Sequence, residues 1–205
     1  MRSLLFLLVM LLPLSAVAED ETRELLERLR ALESLEGTFE QYTLTGDGER
    51  MQETRGEMKL QRPRRFHWHS TEPFEQRVVS DGSVVWVHDV DLEQVVKRSL
   101  SDEIGNTPAL LFSGETDRVT EAFDISELHR NGEEVTWRLT PRKDEELFTL
   151  LEVTFRGDTP VSMRLEDALG QKTHVAFAEL ARNVDIDEAC FEFEPPQGAD
   201  VISEQ

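Results

Sequence analysis

The chain has 205 residues, 42 of them Asp or Glu against 22 Lys or Arg, for a net charge of −20. That balance excludes a protein that tracks a phosphate backbone, and it repels anionic lipid surfaces. The single cysteine, Cys190, excludes a disulfide within the chain and is expected to pack as a small buried apolar residue.

The chain opens on Met-Arg-Ser, an apolar run over 4–12, Pro13 and then Ala16-Val17-Ala18. A positive start, a short apolar segment and small residues before the cut make a secretory signal, and the run is too short to stay as a membrane span. Cleavage is expected after Ala18, with no cysteine near the cut to accept lipid. Residues 1–18 then form the signal and 19–205 one domain.

Residues 20–36 read as a helix, with Leu25, Leu26, Leu29 and Leu32 on one face, Asp20 or Thr22 as the cap and Gly37 as the stop. From Thr38 the period changes to two. Strands are expected over 38–45, 55–61, 65–70, 75–80, 83–88 and 92–97, then over 119–127, 134–140, 147–156, 160–166, 172–179 and 191–193. Within them Met58 and Leu60 alternate with Glu57, Lys59 and Gln61, and Phe66 and Trp68 alternate with Arg65, His67 and His69. Asp81-Gly82 between two apolar runs marks a hairpin. Many short strands at regular spacing argue for one large antiparallel sheet, curled or partly closed.

Residues 100–114 interrupt the strands. Thr107 suits a cap, Pro108 the first helical position and Gly114 the stop of a short helix whose body, Ala109-Leu-Leu-Phe112, is apolar nearly all round. That body needs a cover, and with the first helix it can lie across the aromatic face of the sheet. A fixed pair of helices makes an ordinary core; a movable pair makes a lid over an apolar cavity.

His67 and His69 share a strand face, and His88, Asp89 and Asp91 lie close in sequence, the residue types a metal takes. No third ligand is placed by spacing, so no metal site is expected. No Gly-x-Ser-x-Gly elbow is present, and carboxylates scattered through so acidic a chain single out no catalytic group.

Several segments together resemble the LolA family of periplasmic outer-membrane lipoprotein carriers. They are Gly37-Thr-Phe-Glu-Gln41, Gly56-Glu-Met-Lys-Leu60, Arg62-Pro63 with Phe66-x-Trp68, and Val79-Ser-Asp-Gly82 with Val85-Trp86. Asp89-x-Asp91-Leu-Glu-Gln94, Gly105-Asn-Thr-Pro108 and Phe193-x-Pro-Pro-x-Gly198 follow in family order. The resemblance implies a mainly β fold: a single curved antiparallel sheet of about eleven strands, forming an incomplete, unclosed β-barrel covered by short α-helices. It implies a periplasmic monomer without cofactor, metal or catalysis. Its cargo would be acylated lipoproteins, received from an inner-membrane ABC transporter complex and passed to an outer-membrane lipoprotein receptor. The acidity adds that nucleic acid and stable membrane insertion are not expected. A soluble carrier of another lipid, such as a glycolipid or phospholipid, is the alternative.

The resemblance also assigns residues. Arg62 would latch the lid through backbone groups near Leu29, Phe112 and Ser113. The apolar parity of the strands supplies the cavity lining, Met58, Leu60, Phe66, Trp68, Val84, Trp86 and Phe148, and of these the motif match singles out Phe66 and Trp68. Leu150, Val161, Met163, Leu165, Val175 and Phe177 would complete the sheet side, with Leu25, Leu32 and Leu110 contributed by the lid. Three long acyl chains carry on the order of 40 methylenes, each worth about 0.8 kcal/mol, so release into water is excluded and transfer must run from cavity to cavity.

Overall fold

A computed structural model describes residues 15–100, 109–112, 114–143 and 148–204. Helix α1 (Ser15–Arg30) is followed by six strands: β1 (Ser34–Leu44), β2 (Arg50–Gln61), β3 (Arg65–Glu72), β4 (Gln76–Asp81), β5 (Val84–Asp89) and β6 (Gln94–Ser99). Two short helices, α2 (Ala109–Phe112) and α3 (Thr116–Ala122), precede β7 (Phe123–Asn131), β8 (Glu134–Pro141), β9 (Phe148–Arg156), β10 (Thr159–Asp167) and β11 (Lys172–Arg182). A 3₁₀ turn (Glu188–Phe191) and β12 (Asp200–Ser203) end the chain.

The strands form one sheet in the order β12-β6-β5-β4-β3-β2-β1-β11-β10-β9-β8-β7. Its two edges, β12 and β7, do not pair, so the barrel is unclosed. All pairings are antiparallel except β12 on β6. Strand alternation sends one set of side chains inward, where Phe39, Met58, Trp137, Leu151, Val153 and Phe155 bury with Leu25, Leu29 and Leu32 into one apolar cluster. α1 therefore lies over the concave face.

Several expected boundaries move. The first helix stops at Arg30, not at Gly37; Leu32 lies in the connection, still buried, and β1 begins at Ser34. Gly37 sits inside β1, where the pairing with β11 shifts register between Glu36 and Thr38. A Cβ there would lie 2.7 Å from the Ala178 carbonyl oxygen, so glycine is required by the close approach of β11 rather than by a helix stop. Residues 119–122 belong to α3 instead of the expected strand, because Thr116 and Val119, three apart, both bury on one helical face. The strand expected at 191–193 is absent; a 3₁₀ turn capped by Asp187, whose carboxylate accepts from Ala189 N at 3.0 Å, stands before it. The short β12 supplies the twelfth strand.

The convex face carries a second, smaller core that alternation alone does not announce. Val79, Val95, Ile186 and Phe191 are buried outside the main cluster. Phe193 packs on Trp86 and His88, with ring centroids 5.8 and 5.6 Å apart. His67 Nδ1 donates to the Cys190 carbonyl at 3.0 Å, so His67 lies under the C-terminal segment rather than facing water. Cys190 is half-buried instead of buried, and Lys59 Nζ approaches its Sγ at 3.4 Å.

Gly56 has the closest neighbour among the strand glycines: a Cβ there would fall 1.9 Å from the His69 carbonyl oxygen. Gly56→Ala is expected to destabilise the protein by about 3 kcal/mol, because the obstacle is backbone that cannot swing away. Urea denaturation reads this as a lowered midpoint at unchanged slope.

Candidate functional site

The C-terminus of α1 and the Arg62 side chain meet at the end of β2. The backbone N–H of Arg62 donates to the Glu33 carbonyl at 3.0 Å, which fixes the start of its side chain. Its guanidinium then donates from Nη1 to Arg30 O at 3.2 Å and from Nη2 to Leu29 O. Both acceptors are last-turn carbonyls of α1, which have no partner within the helix and carry its negative dipole end. The Arg62 stem packs on Gly114, where a Cβ would lie 3.0 Å from Cδ. One side chain thus sits between the C-terminus of α1 and the segment that leaves α2. Burial pulls the Arg62 pKa below its usual value, opposed by the nearby Glu33 carboxylate. Its Nε is enclosed without a partner among the described residues. An open, polar cleft of about 700 Å³ surrounds this side chain, lined by Arg30, Glu33, Arg64, Glu115, Asn183 and Asp185.

The expected partners of the latch divide. Leu29 is bonded as expected, and Arg30 joins it. Phe112 is not bonded by Arg62 among the described residues; it packs against the apolar cluster instead. Ser113 and the side chain of Leu110 lie outside the described residues.

Asn183 was not signalled by any sequence pattern. Its Oδ1 accepts from Glu33 N at 2.9 Å and its Nδ2 donates to Ala31 O at 2.9 Å, clamping the turn between α1 and β1. Its φ of 54° is left-handed, a region that asparagine tolerates better than most residues. The other flank of α1 rests on the far sheet edge. Trp137 Nε1 donates to Glu21 O at 3.2 Å, and Glu24 lies 2.6 Å from both Arg28 and Arg130. The bond from Arg130 holds the Glu24 carboxyl below its ordinary pKa.

On the inward face of the sheet, the Phe39 and Trp68 rings lie 4.0 Å apart and Trp68 meets Phe177 edge-on at 6.4 Å. Met58, Phe148, Met163 and Phe177 belong to the buried cluster, and Leu60, Phe66, Trp68, Leu165 and Val175 pack against it. Three expected lining residues face the other way. Trp86 alternates with the inward Val85 and Val87, so it and Val84 point outward, and Trp86 sits between Phe193 and Lys97. Leu150 also turns outward, because β9 and β10 slip register between Leu150 and Phe148, leaving both Phe148 and Leu151 buried inward. Val161 falls within another slip, between Pro160 and Ser162. The sequence reading missed Trp137, Val153 and Phe155, although alternation in 134–140 and 147–156 carried the signal.

At the sheet end away from Arg62, a groove of about 590 Å³ opens beside Trp68, Phe74, Val78 and Leu92. Phe74, Leu92, Met51 and Leu169 are exposed at or beside hairpin turns of that same end. Among the described residues no group of three His, Cys, Asp or Glu converges in a way that could hold a metal.

Fold and site together define a class: an unclosed β-barrel whose inward apolar face is covered by helices tied at their ends by polar bonds. The chain belongs to the LolA family, whose profile, described as outer membrane lipoprotein carrier protein LolA, matches residues 30–194. It is 52% identical over 186 residues to the outer-membrane lipoprotein carrier protein of Alcanivorax borkumensis, covering 91% of this chain and 89% of that one. It is 43% identical over 194 residues to the protein of the same description from Chromohalobacter salexigens, covering 94% and 92%. An uncharacterized conserved protein from Thermus thermophilus has a similar fold, with a TM-score of 0.56 at 16% identity, covering 89% of this chain and 98% of that one.

Proposed function

We propose that this protein is a periplasmic carrier that shields the acyl chains of outer-membrane lipoproteins, and that Arg62 latches its lid. The carrying observation is the pairing of a continuous inward apolar face with a covering helix whose C-terminal carbonyls are held by one guanidinium. Such bonds are strong enough to keep an empty lid shut, at about 1.5–3 kcal/mol each before desolvation, and weak enough for hydrocarbon to displace. Secretion would be directed by residues 1–18, with removal after Ala18. No helix among the described residues is long and apolar enough to cross a membrane.

Loading from an inner-membrane ABC transporter and unloading to an outer-membrane receptor complete the reading. The chain has no P-loop motif with which to drive the transfer itself. The exposed Phe74 and Leu92 beside the Trp68 groove suit a contact through which chains pass without meeting water. Native mass spectrometry of the protein recovered from the periplasm tests the cargo. Co-migrating triacylated polypeptide is expected; free phospholipid or glycolipid in its place would overturn the lipoprotein assignment.

A further inference from the structure

The inward face changes chemistry abruptly at the sheet end away from Arg62. On each of five adjacent strands the apolar inward series gives way there to a polar residue. Gln41 follows Phe39 on β1, Ser70 follows Trp68 on β3, and Asp89 follows Val87 on β5. β2 and β4 run the other way, so Thr54 precedes Gly56 and Met58, and Gln76 precedes Val78. Register sets these side chains beside one another: Gln41 is opposite Thr54, Ser70 opposite Gln76, and Gln76 opposite Asp89. All five line the groove of about 590 Å³ beside Trp68.

Water alone does not account for this band. Thr54 and Ser70 are each only 8% exposed. Outside them the rim turns apolar again, with Phe74 62% and Leu92 70% exposed. A mouth shaped by solvent alone would grow more polar outward; here a polar band lies between an apolar interior and an apolar lip. The side chains of Gln41, Ser70 and Gln76 make no hydrogen bond among the described residues, and Thr54 Oγ1 is met by Gln52 Nε2 at 3.3 Å. Two amides and two hydroxyls therefore offer donors to the groove. The charges in its lining are the carboxylates of Asp89 and Asp91, and no cation stands among the described residues that line it.

Building on the carrier reading above, we infer that this band seats the uncharged linkage between the acyl chains and the polypeptide, the ester carbonyls of a diacylglyceryl group. The carbonyls accept from Gln41, Thr54, Ser70 and Gln76, and the hydrocarbon continues past Trp68, Val78 and Met58 toward the Arg62 end. An ester taken out of water needs replacement donors, and a continuous apolar face offers none. A phosphate or a free carboxylate brought to the same place meets two carboxylates and no cation, so anionic phospholipids and fatty acids are disfavoured there. The band thus sets the direction in which cargo lies and sorts acylated polypeptide from anionic membrane lipid.

The test is displacement of a fluorescent acyl probe from the full chain by three competitors: a triacylated peptide, the same peptide with both esters replaced by ethers, and phosphatidylglycerol. The parent is expected to bind the ester form at least tenfold more tightly than the ether form. Gln41→Met/Gln76→Met is expected to bind the two alike, with the ether form reporting that it folds and loads. Ser70→Ala, a smaller change, is expected to narrow the preference. Asp89→Asn/Asp91→Asn is expected to raise phosphatidylglycerol affinity at least fivefold at low salt. Equal binding of the two peptides by the parent, an ester preference that survives in both polar-band variants, or an unchanged phosphatidylglycerol affinity would overturn the subsite and leave the carrier reading standing. Failure of the parent to take up either peptide would overturn the carrier reading, and the subsite with it.

Discussion

Arg62→Met is expected to hold an acylated cargo about 10- to 1000-fold more tightly than the parent chain and to pass it on correspondingly slowly. The guanidinium bonds to Leu29 O and Arg30 O exist only while the end of α1 lies on the end of β2. They therefore stabilise the closed, empty state and contribute nothing to a loaded state whose helix has moved. Charge-assisted bonds are worth about 1.5–3 kcal/mol each, and partial burial of the group offsets part of that. A net bias of about 1.5–4 kcal/mol gives the stated range. Arg62→Lys keeps the charge but loses the fork that reaches two carbonyls, so it falls between the two. The dissociation rate of a fluorescent triacylated peptide measures the effect. An unchanged rate in a folded Arg62→Met protein would remove the latch from the account.

Phe66→Glu is expected to fold and to lose acyl binding by more than about 100-fold. Phe66 packs against the main cluster but is only half-buried, so the introduced carboxylate reaches water in the closed, empty protein. With acyl chains against the sheet it would have to be desolvated, at a cost of several kcal/mol, or protonated. Trp86→Ala is the control. Trp86 is equally aromatic and nearby in sequence, yet it packs on Phe193 outside the sheet. Its loss weakens the small outer core and should leave cargo affinity unchanged. The two variants together separate the inner face from the outer one, which melting temperatures alone do not.

The sheet was legible because a half-buried strand writes its two faces into the sequence. Met58 and Leu60, then Phe66 and Trp68, show the same parity in the sequence and in the structure. Parity fails where the backbone adds a residue or where both faces are covered. Leu150 shares the parity of the inward Phe148 on paper, but the slip against β10 lies between them, so Phe148 turns inward while Leu150 stays in step with the outward Glu152. Trp86 looks like lining because the C-terminal segment that covers it lies about a hundred residues further along, invisible to any local pattern. Helix ends were harder still. The stripe Leu25, Leu29, Leu32 continues beyond the helix that produces it, because Leu32 is buried by the connection to β1. The latch residue came from family likeness alone, since an arginine before a proline has no distinctive local signal. Asn183 had no signal either: it meets its partners across 150 residues of sequence or more.

The central claim is that the helices over the apolar face move aside when hydrocarbon enters. Arg23 on α1 and Glu57 on β2 are exposed positions suited to paired spin labels, introduced as cysteines in a Cys190→Ser background. Electron–electron distance measurement with and without a bound triacylated peptide reads the separation directly. The account predicts a distance distribution that lengthens by several ångströms on loading, of the order of one helical turn or about 5 Å. The same distribution in empty and loaded protein, with peptide shown to be bound, would contradict it.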